Sequence, residues 1–150
     1  MSSFANRIEV KVDDKGRIFI PSAYRKILSD MGSKNVIMRR EPGLECLTIY
    51  PEAEWDKRVE EFSSNLNEWN PDDLMLLMQF VGDAEYVEID CQGRILLSKK
   101  NLQSINAGKE LVLVGLRNRF TIWDKQNFAA HCLNPTELGE AIAKRMKKDK

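Results

Sequence analysis

The chain has 150 residues, 43% of them hydrophobic, with 23 Lys or Arg balanced by 23 Asp or Glu; that is enough for one ordinary core or two small ones. Its longest wholly apolar run, LMLLM at 74–78, falls far short of a membrane span, and residues 1–9 lack the basic start and apolar stretch of a signal peptide, so a cytoplasmic protein is expected. Three cysteines, Cys46, Cys91 and Cys132, are odd in number and far apart, which fits neither a disulfide framework nor zinc-ligand spacing and leaves them as reduced packing residues.

The zero net charge hides segregation. Residues 1–50 carry nine Lys or Arg against six Asp or Glu (+3), and residues 51–86 carry two against ten (−8). Residues 87–131 carry seven against four (+3), and residues 132–150 five against three (+2). A neutral protein patterned in this way can hold a local positive surface, although a solvated face is the commoner origin of any one charged block.

Along the chain, ANRIEVKV alternates Ile8, Val10 and Val12 with Arg7, Glu9 and Lys11. This is the period-two pattern of a half-buried strand, and it puts Arg7 and Lys11 on one outward face. VDDKGRIFIP at 12–21 follows, read as a turn between two short strands in which Asp13 initiates and Gly16 takes positive φ. SAYRKIL after Pro21 predicts a short helix that offers Ala23, Ile27 and Leu28 to the core and leaves Arg25 and Lys26 nearer solvent. VIMRR, EPGLE and CLTIY form a hairpin turning at Pro42 and Gly43. Pro51 opens a helix with Trp55, Val59, Phe62 and Leu66 on one stripe, and Asn70 with Pro71 caps and starts a second, PDDLMLLMQFV. The two make an acidic connector.

IDCQGRILL at 89–97 then repeats the opening motif, with Asp90 and Arg94 answering to Asp13 and Arg17. ELVLVGLRNRFTIW repeats the hairpin, turning near Arg117 and Asn118, and FTIWDKQNF at 120–128 parallels LTIYPEAEW at 47–55. The offsets, 77 and 73, differ by loop length. Asn134, Pro135 and Glu137 begin a last helix with Leu138, Ile142 and Met146 in line, and its basic end suits the helix dipole. The chain therefore divides into a first unit at 1–53, an acidic helical connector at 54–83, a second unit at 84–128 and a C-terminal helical tail at 129–150. Two copies make a tandem pair and not a solenoid.

A tight turn accounts for DxxGR by itself, and an exposed Asp–Arg pair across it is worth only ~0–1 kcal/mol. Stability is thus a weak reason to write it twice. A guanidinium fixed by its aspartate can instead make two parallel hydrogen bonds to a phosphate, or to guanine O6 and N7. One such turn recurs by chance; two copies with basic neighbours strengthen the nucleic-acid reading.

VDDKGRIFIPSAYR resembles the first signature of the MraZ family, IDCQGRILL its second, and KELVLVGLRNRFTIWDKQNF its VVLVG and RFEIW stretch, over essentially residues 4–128. The resemblance implies a mainly β fold with flanking helices (α+β). In that fold, tandem AbrB-like (SpoVT-AbrB) swapped-hairpin β-barrel units form an intrachain pseudo-dimer. It also implies a bacterial transcriptional regulator, nucleoid-associated, that binds double-stranded DNA upstream of the division and cell-wall gene cluster, including its own promoter. The expected state is a ring-shaped homo-oligomer engaging repeated boxes. Carried over, the DNA-contacting arginine falls on Arg17 and its partner on Asp13, with Lys15 in the same turn and Arg7, Lys11 and Arg25 as neighbours; Arg94 and Asp90 are the second set. The sequence departs from the family at Ser98, where Pro is expected, and at Asn101 and Leu102, where Leu and Arg are common; Leu102 also stands in the place of Arg25. The first unit is therefore the expected principal DNA surface, and the second is expected to serve mainly assembly.

An enzyme finds little support. The only histidine, His131, sits beside Cys132 with no acidic orienter, and there is no GxxxxGKS/T, GxGxxG or HExxH. Asp72, Asp73, Glu60 and Glu61 read as helix starts and solvated faces, so no metal or cofactor is implied. AbrB-like hairpins also occur in antitoxins, which leaves an antitoxin-like or structural protein-interaction module as the alternative. Such proteins usually carry one unit and a disordered tail, whereas this tail is capped and helix-patterned. Trp55, Trp69 and Trp123 are read as core aromatics rather than interface anchors.

Overall fold

The structure is a computed structural model that describes residues 3–147. It runs β1 (Arg7–Lys11), β2 (Arg17–Phe19), α1 (Ser22–Asp30), β3 (Asn35–Arg40), β4 (Leu47–Pro51), α2 (Glu52–Ser64) and α3 (Pro71–Gly82). The same order then repeats as β5 (Glu85–Glu88), β6 (Arg94–Leu96), α4 (Lys99–Ser104), β7 (Glu110–Gly115), β8 (Phe120–Asp124), α5 (Lys125–His131) and α6 (Pro135–Met146).

Six strands form one antiparallel sheet in the order β1-β7-β8-β4-β3-β5, and β2 pairs with β6 as a separate two-stranded ribbon. The first strand of each unit has crossed to the other: Ile8 lies opposite Leu113 and Val10 opposite Leu111, while Glu85 lies opposite Met38 and Val87 opposite Val36. In β4 and β8 Thr48 faces its own counterpart Thr121, and in the ribbon Ile18 faces its counterpart Ile95. A pseudo-two-fold axis therefore passes through both pairs, and the two units are an intrachain pseudo-dimer.

The expected mainly β architecture with flanking helices is present, but the strands do not close into a barrel. Each DxxGR turn swings the chain off the sheet, so β1 and β5 remain edges and the three-residue strands after the turns pair only with each other. Crossed backbone bonds fasten the ribbon, Leu97 N–H to Gly16 C=O at 2.7 Å and Ile20 N–H to Gly93 C=O at 2.9 Å.

The main core lies between the ribbon and the sheet's inner face, where Ile18, Ile20, Ile95 and Leu97 pack on Val36, Met38, Leu111 and Leu113. Helix α1 closes one side through Tyr24 and Leu28. Ala23, expected in the core, is exposed; in so short a helix the neighbouring tyrosine takes the inward position, its ring edge-on to Phe4 at 5.1 Å and its hydroxyl donating to Ala5 C=O at 2.7 Å. On the sheet's outer face α2 and α3 cover Ile37 and Tyr50 through Trp55 and Phe80, and α5 covers Val112 and Trp123 through Phe128. Trp55 and Trp123 are core residues as expected, but Trp69 is 95% exposed, because α2 stops at Ser64 and the chain turns away before reaching it.

Candidate nucleic-acid interface

Each DxxGR segment folds around its aspartate. Asp13 Oδ1 accepts from the backbone N–H groups of Lys15 (2.9 Å) and Arg17 (2.8 Å), and Oδ2 accepts from Arg17 Nε at 2.8 Å. Asp90 repeats the set with Gln92 N–H at 2.9 Å, Arg94 N–H at 2.8 Å and Arg94 Nε at 2.8 Å. Both carboxyls are held below their ordinary value of 3.8, first by the amide of the following arginine and then, against some desolvation, by its guanidinium and the second amide. Because Nε holds the aspartate, the two terminal amino groups of each guanidinium have no protein partner among the described residues. That end is the fork able to grip a phosphate or a guanine edge.

The turns depend on glycine. Gly16 has φ +85° and Gly93 φ +83°. A Cβ on Gly16 would stand 2.7 Å from Leu97 C=O, and one on Gly93 would stand 2.6 Å from Arg25 Cδ.

Register decides what the ribbon shows to solvent. Arg17 lies opposite Leu96 and Phe19 opposite Arg94, while the intervening Ile18 and Ile95 point into the core. Its outward face therefore carries Arg17 and Arg94 on one diagonal and the exposed Phe19 and Leu96 on the other, with the Arg94 guanidinium 5.8 Å from the Phe19 ring. Phe19 and Leu96 were not singled out from the sequence, although the alternation in RIFI and RILL carried the signal.

Arg25 lies over the second turn rather than its own, with Nε donating to Ile20 C=O at 3.0 Å. The strand exchange thus collects Arg17, Arg94 and Arg25 around one ribbon. Lys15 is exposed at the first turn. Arg7 and Lys11 are not gathered there, because Ile8 and Val10 of the same strand face the core and the ribbon. Arg7 instead lies 5.0 Å over Phe128 on the outer face, beside the Glu9–Lys125 ion pair. His131, bonded through Nδ1 to Asn127 C=O at 2.8 Å and packed on Trp123, is likewise remote.

A family model described as "MraZ protein, putative antitoxin-like" matches residues 3–78 and again 80–149. The chain belongs to the MraZ family. It is 39% identical over 142 residues to "Transcriptional regulator MraZ" of Bacteroides thetaiotaomicron, covering 95% of this chain and 91% of that one. It is 34% identical over 150 residues to the protein of the same name from Bacteroides fragilis (100% and 95%) and 31% identical over 125 residues to that of Serratia proteamaculans (83% and 82%). The two family matches agree with the tandem repeat of the fold, and the MraZ relatives carry a regulatory and not an enzymatic name, as expected for this chain. No helix among the described residues is long and apolar enough to cross a membrane.

Proposed function

We propose that this MraZ family member is a DNA-binding transcriptional regulator whose DNA surface is the outward face of the β2–β6 ribbon. The observation that carries this reading is that two aspartate-held guanidiniums, one from each copy of the motif, stand on the same face of one ribbon, with side chains 30% and 19% exposed. In this reading Arg17 and Arg94 reach base edges or phosphates, Asp13 and Asp90 fix them, and Arg25 and Lys15 position the backbone. Both units, 1–53 and 84–128, contribute in this reading, whereas the sequence made the first the principal surface and gave the second mainly to assembly. Of the two β1 cations on the outer face, Arg7 serves packing and Lys11 is left to reach flanking phosphate. The connector at 54–83 and the tail at 129–150 serve assembly.

The wider reading places the protein at the nucleoid, as a ring-shaped homo-oligomer on repeated boxes upstream of the division and cell-wall gene cluster and its own promoter. Weak patches, one per protomer, then act together through effective concentration. Fluorescence anisotropy of the protein and its Arg17→Ala variant, against the duplex upstream of its own gene and a scrambled duplex at two salt concentrations, tests both levels. Loss of one bidentate contact costs about 1–3 kcal/mol, or roughly 5- to 150-fold in affinity. Preference for the upstream duplex that falls by that factor, in a variant of unchanged mass, supports the reading. Unchanged binding in the variant removes the ribbon as DNA surface and turns attention to Phe19 and Leu96 as a protein-docking pair, the antitoxin-like alternative.

A further inference from the structure

Two helices end with apolar faces that nothing in the described chain covers. Helix α3 is held to the body through Phe80, stacked on Trp55 at 5.2 Å, and leaves Leu74, Met75, Met78 and Val81 exposed on its other side. Helix α6 presents Leu138, Ile142 and Met146, spaced four apart and all exposed. It buries no residue and, among the described residues, packs only marginally on any other element. Yet α6 is firmly specified, with a complete Asn134–Glu137 capping box and Pro135 in its first turn. Twelve residues are marginal as an isolated helix, and most helix stability comes from packing an amphipathic face.

The two helices are counterparts. NPDDL at 70–74, opening α3, recurs as NPTEL at 134–138, opening α6, so Leu74 answers to Leu138 and Met78 to Ile142. Where α3 has Phe80 to hold it against α2, α6 has Lys144, so α6 stays off its own body. They differ in charge. Helix α3 starts with Asp72 and Asp73, and α6 ends with Lys144 and Arg145 followed by Lys147. Laid antiparallel, the apolar stripes face each other, the acids at the start of α3 meet the bases at the end of α6, and the helix dipoles oppose favourably. Met146 then faces Leu74, and the exposed Trp69, just ahead of α3, extends the apolar surface beyond it. With Ile142 against Met78 this pairing sets one like-charge pair, Glu137 near Asp83, whereas an antiparallel α3–α3 contact would set Asp72 and Asp73 against Asp83 at both ends and meet no bases.

We infer that α6 of one copy docks antiparallel on α3 of the next, with Ile142 against Met78 at the centre. The contact joins two different surfaces, so repetition either closes a ring or extends a filament; it rests on the ring-shaped assembly proposed above and names the surface that builds it. The family resemblance of the two halves then has a use: one half offers the acidic helix and the other the basic one.

The test is the mass of the full chain in solution, by light scattering after size exclusion, with circular dichroism as the control for folding. The set comprises the unmodified protein, Ile142→Glu, Met78→Glu, the double Arg145→Glu, Lys147→Glu variant, and that double variant combined with Asp72→Lys. The unmodified protein is expected at several times the 17.3 kDa chain mass. The two apolar-face variants and the double charge variant are expected to fall to smaller species through about tenfold or greater weakening of association, and adding Asp72→Lys is expected to restore mass. A single-chain mass for the unmodified protein overturns the ring and this contact together. An assembly that survives both Ile142→Glu and Met78→Glu overturns the contact and leaves the ring reading intact. Dissociation by the charge variant without recovery on adding Asp72→Lys overturns α3 as the partner of α6.

Discussion

Asp13 and Asp90 each gather three N–H donors on one carboxyl, and this makes the site dependent on their ionisation. A carboxyl whose value is lowered in the fold contributes stability that is fully present above its unfolded value, here 3.8, and is lost as pH falls through the lower folded value. Amide exchange at Lys15, Arg17, Gln92 and Arg94 is therefore expected to stay slow and unaffected by loss of these carboxylates above about pH 5. Below 3.8 their protection should fall before that of the sheet; protection lost in step with the sheet would show that the carboxyls do not hold the turns. The Asp-to-Arg spacing made this unit legible in the sequence, because all its partners lie within four residues. Arg25 was legible only as a basic neighbour. Its position over Gly93 follows from strand exchange, a long-range pairing that no local pattern records. Ala23 was misplaced for a related reason: a nine-residue helix gives too few turns to fix its inward phase.

The ribbon is the element that joins site to core, since its outward arginines are aimed by inward isoleucines. Ile18 and Ile95 face each other on the pseudo-two-fold axis, each 1% exposed. Truncation of either to alanine is expected to cost about 2–5 kcal/mol. Because the two share one contact, the double variant should lose less than the sum of the singles, measured by urea unfolding. Strict additivity would mean that the strands stabilise the fold independently. Elements with end signals were readable in advance: Asn70 with Pro71 and Asn134 with Pro135 and Glu137 cap α3 and α6 as the residue types required. The end of α2 was not, because the apolar stripe continues to Leu66 while the helix stops at Ser64 and Asn65 N–H bonds back to Phe62 C=O at 3.1 Å. Barrel closure was not readable either, since it depends on whether three-residue strands pair with the sheet or with each other.

At the scale of the whole molecule, the sheet separates the acidic helices from the arginine ribbon. Helices α2 and α3, within the segment of net charge −8, lie on its outer face, and Arg17, Arg94 and Arg25 lie by the ribbon on the other. A chain with no net charge can therefore approach a polyanion in one orientation, ribbon first. The composition indicated segregation, but only the topology places the acidic helices on the face away from the ribbon. If Arg17, Arg94, Arg25 and Lys15 all neutralise phosphates, log K should fall with log salt at a slope of about −3 to −4 for each ribbon engaged, at about −0.9 per phosphate. On a duplex of about one helical turn, roughly 10 bp, a single ribbon is expected to set that slope. On a longer duplex an assembly engages several ribbons, and the slope should steepen in proportion, as anisotropy titrations between about 50 and 200 mM salt would read. A slope near zero on both would mean that the guanidiniums are not meeting phosphate. Equal non-zero slopes would mean that one ribbon binds at a time, removing avidity from the mechanism while leaving the ribbon as the site.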